Sequence, residues 1–268
     1  MEIALVQGVR TLPSAGLKGA CPSCGAAMVA KCGEKVIHHW AHAGRRNCDP
    51  WWENETEWHR EWKAHWSVEC HEINHVAPNG EIHRADVKTP SGIYVEVQHS
   101  AMTDAERQSR EDFYQNLVWI IDGRHFQKNF TIHHLLPDPA LLWAQDCLWL
   151  PIEHRTHRGT AQGMYHKLSE IAEDRKRSPN SNMHRVYFFA DERAKFEAAD
   201  AGYRNYCWMR PHTTWLNASK PVYIDFGTDV LVRLEVYPVG MLRCVRLISK
   251  SRLIYELGTL PHASEVCA

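Results

Sequence analysis

Glu81-Ile-His-Arg-Ala-Asp-Val-Lys88, Thr89-Pro-Ser-Gly92 and Ile93-Tyr-Val-Glu-Val-Gln98 decide the reading of this chain. Two extended runs around a Pro/Gly turn predict a β-hairpin. Successive side chains of a strand point to opposite faces. In the second run Ile93, Val95 and Val97 therefore point one way, and Tyr94, Glu96 and Gln98 the other. In the first run Ala85 and Val87 oppose Asp86. The hairpin thus sets Asp86, Glu96 and Gln98 on neighbouring strands.

Upstream, a helix is expected from about Asn54 to Cys70, because Trp58, Trp62 and Trp66 recur every four residues. Glu55, His59 and Lys63 repeat at the same spacing and border that apolar stripe, so they can lean from the edge of the core into a cleft. Downstream, Thr103-Asp-Ala-Glu106 matches a capping box and starts a helix to about Asn116, with Arg110 and Tyr114 one turn apart. Leu117-Val-Trp-Ile-Ile121 is wholly apolar and stops at Asp122-Gly123, as a buried central strand does.

Carboxylates on adjacent strands can hold a hard divalent ion, which neutralises charge on a phosphoryl centre and activates water. Mg²⁺ keeps several waters, so one or two protein carboxylates suffice, and Mn²⁺ is the equivalent alternative. Asp86 and Glu96 are the expected ligands. Gln98 would orient water or a phosphate oxygen. Glu55 would complete the metal shell or act as a base. His59 is a candidate for proton transfer, since histidine titrates near neutrality.

From about Cys21 to Asp122 the chain resembles the competence protein CoiA-like nuclease family. The resemblance rests on Cys21-Pro-Ser-Cys24, His39-Trp-Ala-His42, Glu55-x3-His59-x3-Lys63, Arg84-Ala-Asp-Val87, Glu96-Val-Gln98 followed by Ser100, Arg110-x3-Tyr114 and Trp119-Ile-Ile-Asp122. It implies a branch of the PD-(D/E)XK superfamily with Gln98 in the place of the usual lysine. An amide brings no positive charge to the transition state. Lys63, Arg84 and Arg110 are the candidates to supply it.

Cys21-x2-Cys24 can turn two thiolates toward one Zn²⁺, and a tetrahedral structural site needs two further donors. The expected set is Cys21, Cys24, His42 and Cys48, with His39 as a substitute for His42 and Cys32 in reserve. A closed site of this kind would display Arg45 and Arg46 to phosphates. The nine cysteines are an odd number, and their clustering before residue 50 fits reduced, metal-bound thiols better than a disulfide framework.

The 268 residues, 44% apolar, suffice for one large or two modest domains. A net charge of −1 means that any nucleic-acid binding comes from local basic patches. The expected organisation is a zinc-binding module over 1–50, a nuclease core over 51–128 and an α+β accessory region over 129–268. No signal peptide or apolar span is recognised, so the expectation is a cytoplasmic protein without a membrane partner. In the last region the sequence predicts a helix over 160–177, a strand over 185–190, strand pairs over 221–237 and 241–257, buried Trp143 and Trp149, and a flexible loop at Ser178-Pro-Asn-Ser-Asn182. That region carries no assignable motif and is open to a protein partner or self-association.

The fold class expected is therefore α/β, with a PD-(D/E)XK restriction-endonuclease-like core. The function expected is metal-dependent hydrolysis of phosphodiesters, most naturally in DNA, in uptake, recombination or defence against foreign DNA. The rival is a cleavage-inactive DNA-binding or recombination-accessory protein of the same fold. A third reading is a zinc-stabilised interaction protein.

Overall fold

The computed structural model describes residues 1–44, 48, 51, 55–77, 80–152, 158–179 and 183–258. Arg45, Arg46 and residues 180–182 of the expected loop lie outside these. The chain is mixed α/β with large sheets and divides into two compact units, Met1–Ile120 with Leu253–Ala268, and Ile121–Arg252. The expected regions 1–50 and most of 51–128 thus fall together in the first unit. Among the described residues no helix is long and apolar enough to cross a membrane.

In the first unit, β1 (Ala4–Val6), β2 (Val9–Thr11), β3 (Lys18–Ala20), β4 (Ala27–Lys31) and β5 (His39–His42) form an antiparallel sheet of order β2-β1-β3-β4-β5. Its small core gathers Met1, Ala4, Cys21, Met28 and Trp40. Next come α1 (Glu57–Lys63), β6 (His71–Val76), β7 (Ile82–Lys88), β8 (Tyr94–Gln98), α2 (Asp104–Phe113) and β9 (Leu117–Asp122), with sheet neighbours in the order β6-β7-β8-β9. β8 and β9 are buried along their whole length, as central strands are.

The hairpin forms as read. Thr89 N–H bonds to Ile93 O at 2.9 Å, and Gly92 takes the left-handed φ of 82° that the turn requires. α1 is shorter than expected, ending at Lys63 rather than near Cys70. Trp66 N–H then bonds to Lys63 O at 3.0 Å, a tight turn that keeps Trp58, Trp62 and Trp66 all buried. The residues after it form β6, a strand absent from the sequence reading. α2 starts at Thr103, whose hydroxyl accepts from Glu106 N–H at 3.1 Å. The other half of the box is replaced, because Glu106 turns to Arg110, 2.6 Å away.

The second unit contains β10 (Phe130–Pro137), β11 (Cys147–Trp149), α3 (Arg158–Ala161), β12 (Met164–Lys167), α4 (Leu168–Arg177), β13 (Tyr187–Phe188), α5 (Arg193–Ala198), β14 (Asp200–Trp208), α6 (Thr213–Leu216), β15 (Val222–Asp225), β16 (Val230–Tyr237) and β17 (Leu242–Ser249). Five strands run in the order β10-β14-β17-β16-β15, and β11-β12-β13 form a small sheet. Leu136, Trp149, Tyr165, Phe196, Tyr237 and Cys244 share one core, with Trp143 partly buried against it.

Two helix–strand assignments differ here. The expected helix over 160–177 is broken by Gly163 (φ 88°), after which β12 precedes α4. The expected strand over 241–257 stops at Ser249 and continues as α7 (Lys250–Gly258), whose buried Leu253 and Leu257 are four residues apart. The strand expected over 185–190 pairs only at Tyr187–Phe188.

His134 gives this unit a pH dependence. Burial pulls its imidazole down from 6.5 to about 4. Between those values the unfolded chain takes up a proton that the folded chain refuses, so stability is full above pH 6.5 and falls as pH drops toward 4. The loss is about 3 kcal/mol. Urea unfolding of the chain and of His134→Gln at about pH 7 and about pH 4.5 is expected to show a smaller pH-dependent loss in the variant.

Candidate functional site

A cleft of about 40 Å³ opens where β7 and β8 part. The ladder between them pairs Lys88 with Tyr94 and Val87 with Val95. One residue further on, Asp86 Oδ2 accepts from Val97 N–H at 2.9 Å, so the carboxylate takes over from the ladder opposite Glu96. A matching gap occurs on the other side of β7. His71 pairs with Val87 and Ile73 with Ala85, and Glu72 between them has the left-handed φ of 46°. Such a conformation costs a bulky residue of order 1–3 kcal/mol and persists only where surrounding bonds hold it. Here Glu2 N–H and Ile3 N–H bond to the two Glu72 oxygens at 2.8 and 2.9 Å.

The cleft is lined by Glu55, His59, Glu72, Arg84, Asp86, Glu96, Gln98 and Arg110, with Trp51 and Val97. All of these polar residues but Glu72 were singled out from sequence as site or support residues, together with Lys63, which lies behind the cleft wall. Lys63 is fully buried, 2.7 Å from Glu2, ion-paired to Glu55 and 3.8 Å from Glu72. Burial alone would lower its ammonium, but Glu72, Glu55 and Glu2 raise it above its ordinary value. Burial would likewise raise Glu72, yet Lys63 and Arg84 hold it at about 2. For Asp86 burial wins: its carboxyl lies above the usual range, although His59, Lys63 and the Val97 N–H pull the other way.

Lys63 is thus a buried counter-ion for the acids rather than a group facing the cleft. Removing one partner of a buried charge cluster leaves the rest uncompensated, at about 3–5 kcal/mol. Lys63→Met is expected to lose that much in denaturant unfolding.

Arg110 is also engaged. Its Nη1 lies 3.0 Å from Glu96 Oε2, and its Nη2 donates to Glu106 at 2.6 Å and to Trp51 O at 2.9 Å. It therefore fixes the Glu96 carboxylate. Gln98 Nε2 donates to Ser100 O at 3.1 Å. His59 does two jobs, lining the cleft and capping its own helix. Its Nδ1 accepts from Thr56 N–H at 3.3 Å, closing the cap of α1.

The second cluster joins Cys21, Cys24, His42 and Cys48, whose ligand atoms all lie within 4.8 Å of one another. Gly25, with φ 69°, allows the tight turn in which Cys21 N–H bonds to Ala26 O at 2.8 Å and Gly25 N–H to Cys21 O at 2.9 Å. β5 brings His42 opposite Met28. A tetrahedral Zn²⁺ with Zn–S near about 2.3 Å separates its sulfurs by about 3.8 Å. Cys21 and Cys48 sulfurs are 3.7 Å apart, and Cys24 Sγ lies 3.4 Å from His42 Nε2. Burial and the neighbouring thiols push Cys48 up to about 12, a crowding that a cation relieves. The four residues could hold a metal such as zinc. His39 bonds instead to Ile37 O through Nδ1 at 2.9 Å, and neither it nor Cys32 joins this cluster.

The two clusters are joined within the unit. Beyond the Glu72 bonds, Ser23 Oγ donates to Asn74 Oδ1 at 2.7 Å and Asn74 Nδ2 to Pro22 O at 3.0 Å, so the Cys21–Cys24 turn sits on β6. Glu2, Glu72 and the role of β6 escaped the sequence reading. Their one signal was Ile73 and Asn74 between His71 and His75, an extended run masked by the tryptophan repeat before it.

No family model matches the chain, and neither a curated protein nor a solved structure does.

Proposed function

We propose that the chain is a metal-dependent nuclease of the PD-(D/E)XK type, CoiA-like, that hydrolyses phosphodiester bonds in DNA. The observation that carries this reading is the carboxylate fork. Asp86 and Glu96 stand opposite each other at the end of a ladder, beside Gln98 and Glu55, in a cleft that Arg84 and Arg110 also line. In this reading Asp86 and Glu96 bind Mg²⁺ or Mn²⁺, which would supply Lewis-acid charge and an activated water. Glu55 completes the acidic wall and Gln98 orients water or a phosphate oxygen. His59 would transfer the proton and Arg84 would contact the phosphate, while Arg110 and Lys63 hold carboxylates in place. A zinc-binding module stands behind this core as structural support, and DNA uptake, recombination or defence are the settings such chemistry serves.

The ion pairs of Lys63 and Arg110 favour a second reading. Both cations are spent on carboxylates, and position 98 is an amide, so the protein would bind DNA without cutting it. Circular single- and double-stranded DNA incubated with the protein in Mg²⁺, Mn²⁺ or neither separates the two. Metal-dependent opening of circles supports the nuclease. Intact circles and intact linear DNA, with salt-sensitive binding, select the second reading.

A further inference from the structure

In the second unit, four strands assemble a row of side chains that no sequence motif announces. Tyr223 on β15 pairs with Arg233 on β16, Arg233 with Arg246 on β17, and Arg246 with Tyr203 on β14. Residues directly opposed across a sheet share a face, so the order across that face is Tyr-Arg-Arg-Tyr. Each guanidinium lies over its outer neighbour, Arg233 at 5.7 Å from the Tyr223 ring centre and Arg246 at 5.0 Å from that of Tyr203.

Like charges directly opposed on neighbouring strands repel. The available compensation is partial. Arg233 Nε lies 3.1 Å from Glu235 Oε1, and Arg246 Nε donates only to the neutral Ala201 O at 3.2 Å. For neither arginine does a terminal Nη nitrogen hydrogen-bond to a described residue. The Arg233 side chain is 33% exposed, and Arg246 is half-buried. Two guanidiniums thus lie over tyrosine rings, with their outer donors unspent. That geometry suits a tetrahedral oxyanion, because a planar fork of N–H donors matches phosphate oxygens two at a time.

We infer that Arg233 and Arg246 form a grip for the phosphates of a nucleic-acid strand, held in place by Tyr223 and Tyr203. The choice of DNA as the strand rests on the nuclease reading; the grip itself rests on the arginine row. It gives the second unit a task of its own, retaining the polymer. The chain's net charge of −1 makes such a local cationic site the form that DNA binding takes here.

The test is fluorescence anisotropy of a labelled single-stranded oligonucleotide, titrated across salt concentrations with the full chain carrying Asp86→Asn so that nothing is cut. Arg233→Gln with Arg246→Gln is expected to weaken binding about tenfold or more near about 0.1 M salt. Each lost phosphate contact should reduce the slope of log K against log salt by about 0.7. The denaturation midpoint checks that the double variant is folded, since relief of the Arg233–Arg246 repulsion is set against loss of the Glu235 pair and the two ring contacts. Unchanged affinity and slope in the folded double variant overturn the grip. So does competition by inorganic phosphate as strong, per phosphate, as by the oligonucleotide, which makes the pair a small-anion site. Poly-glutamate binding that depends on the pair while DNA binding does not assigns the row to a protein partner instead. Cleavage by the unsubstituted chain is scored separately. If that chain cuts DNA while the arginine variant binds normally, the grip fails and the nuclease stands. If it never cuts but binds through the pair, the nuclease fails and the grip stands.

Discussion

Asp86→Asn with Glu96→Gln is expected to reduce metal-dependent cleavage about 10³-fold or more, equivalent to roughly 4 kcal/mol of transition-state stabilisation. The effect is electrostatic. An amide has nearly the shape of a carboxylate, and the side-chain oxygen left by Asp86→Asn can still accept the Val97 N–H that Asp86 now takes at 2.9 Å. What disappears is the negative charge with which, in the proposed reading, the two carboxylates would hold a divalent ion. Arg110 also loses one of its two carboxylate partners when Glu96 is neutralised, so Asp86→Asn alone is the variant with the smaller effect on folding. DNA affinity, read by anisotropy, should be retained or slightly raised, because a negative charge has left the cleft. Equal loss of cleavage and of binding would mean that the substitutions had damaged the fold rather than the chemistry.

If the Cys/His cluster holds zinc, loss of that metal is expected to have the larger effect on stability. A structural zinc is worth on the order of 10 kcal/mol to a small module with few apolar contacts of its own. Here the apolar core beside it is chiefly Met1, Ala4, Cys21, Met28 and Trp40. Cys24→Ser is the informative variant, because Cys24 is exposed and its replacement leaves no cavity in that core. Elemental analysis should find about one zinc per chain before the substitution and little after it. Limited proteolysis should then open the Cys/His-rich sheet. Cleavage should fall as well, even with Mg²⁺ in excess, because Glu2 and Ile3 hold Lys63 and Glu72 at the back of the cleft. A variant that loses its metal yet keeps proteolytic resistance and activity would show that the cluster is not structural.

The parts of this molecule legible in sequence are those with a strict local period. Alternation across Tyr94–Gln98 fixed which side chains face together, and a wholly apolar run marked β9. Cys21-x2-Cys24 announced a turn, and His42 and Cys48 joined it, while the nearer Cys32 and His39 did not. What stayed hidden depends on long-range pairing. Glu2 meets Lys63 from far along the chain, and Glu72 owes its place to backbone N–H groups just before the first strand. The tryptophan repeat at 58, 62 and 66 made the helix read too long, although a turn after Lys63 serves the same burial. In the second unit the Arg233–Arg246 row exists only because four strands fall into one register. Nothing within any single strand points to it.

The most direct test of the carboxylate fork is a crystal of the protein soaked in Mn²⁺, with anomalous scattering recorded at the manganese edge. A manganese peak is expected beside Asp86 and Glu96 in the cleft, and it should vanish in Asp86→Asn. A protein that cuts DNA in Mn²⁺ while its manganese sits away from both carboxylates would contradict the carboxylate fork.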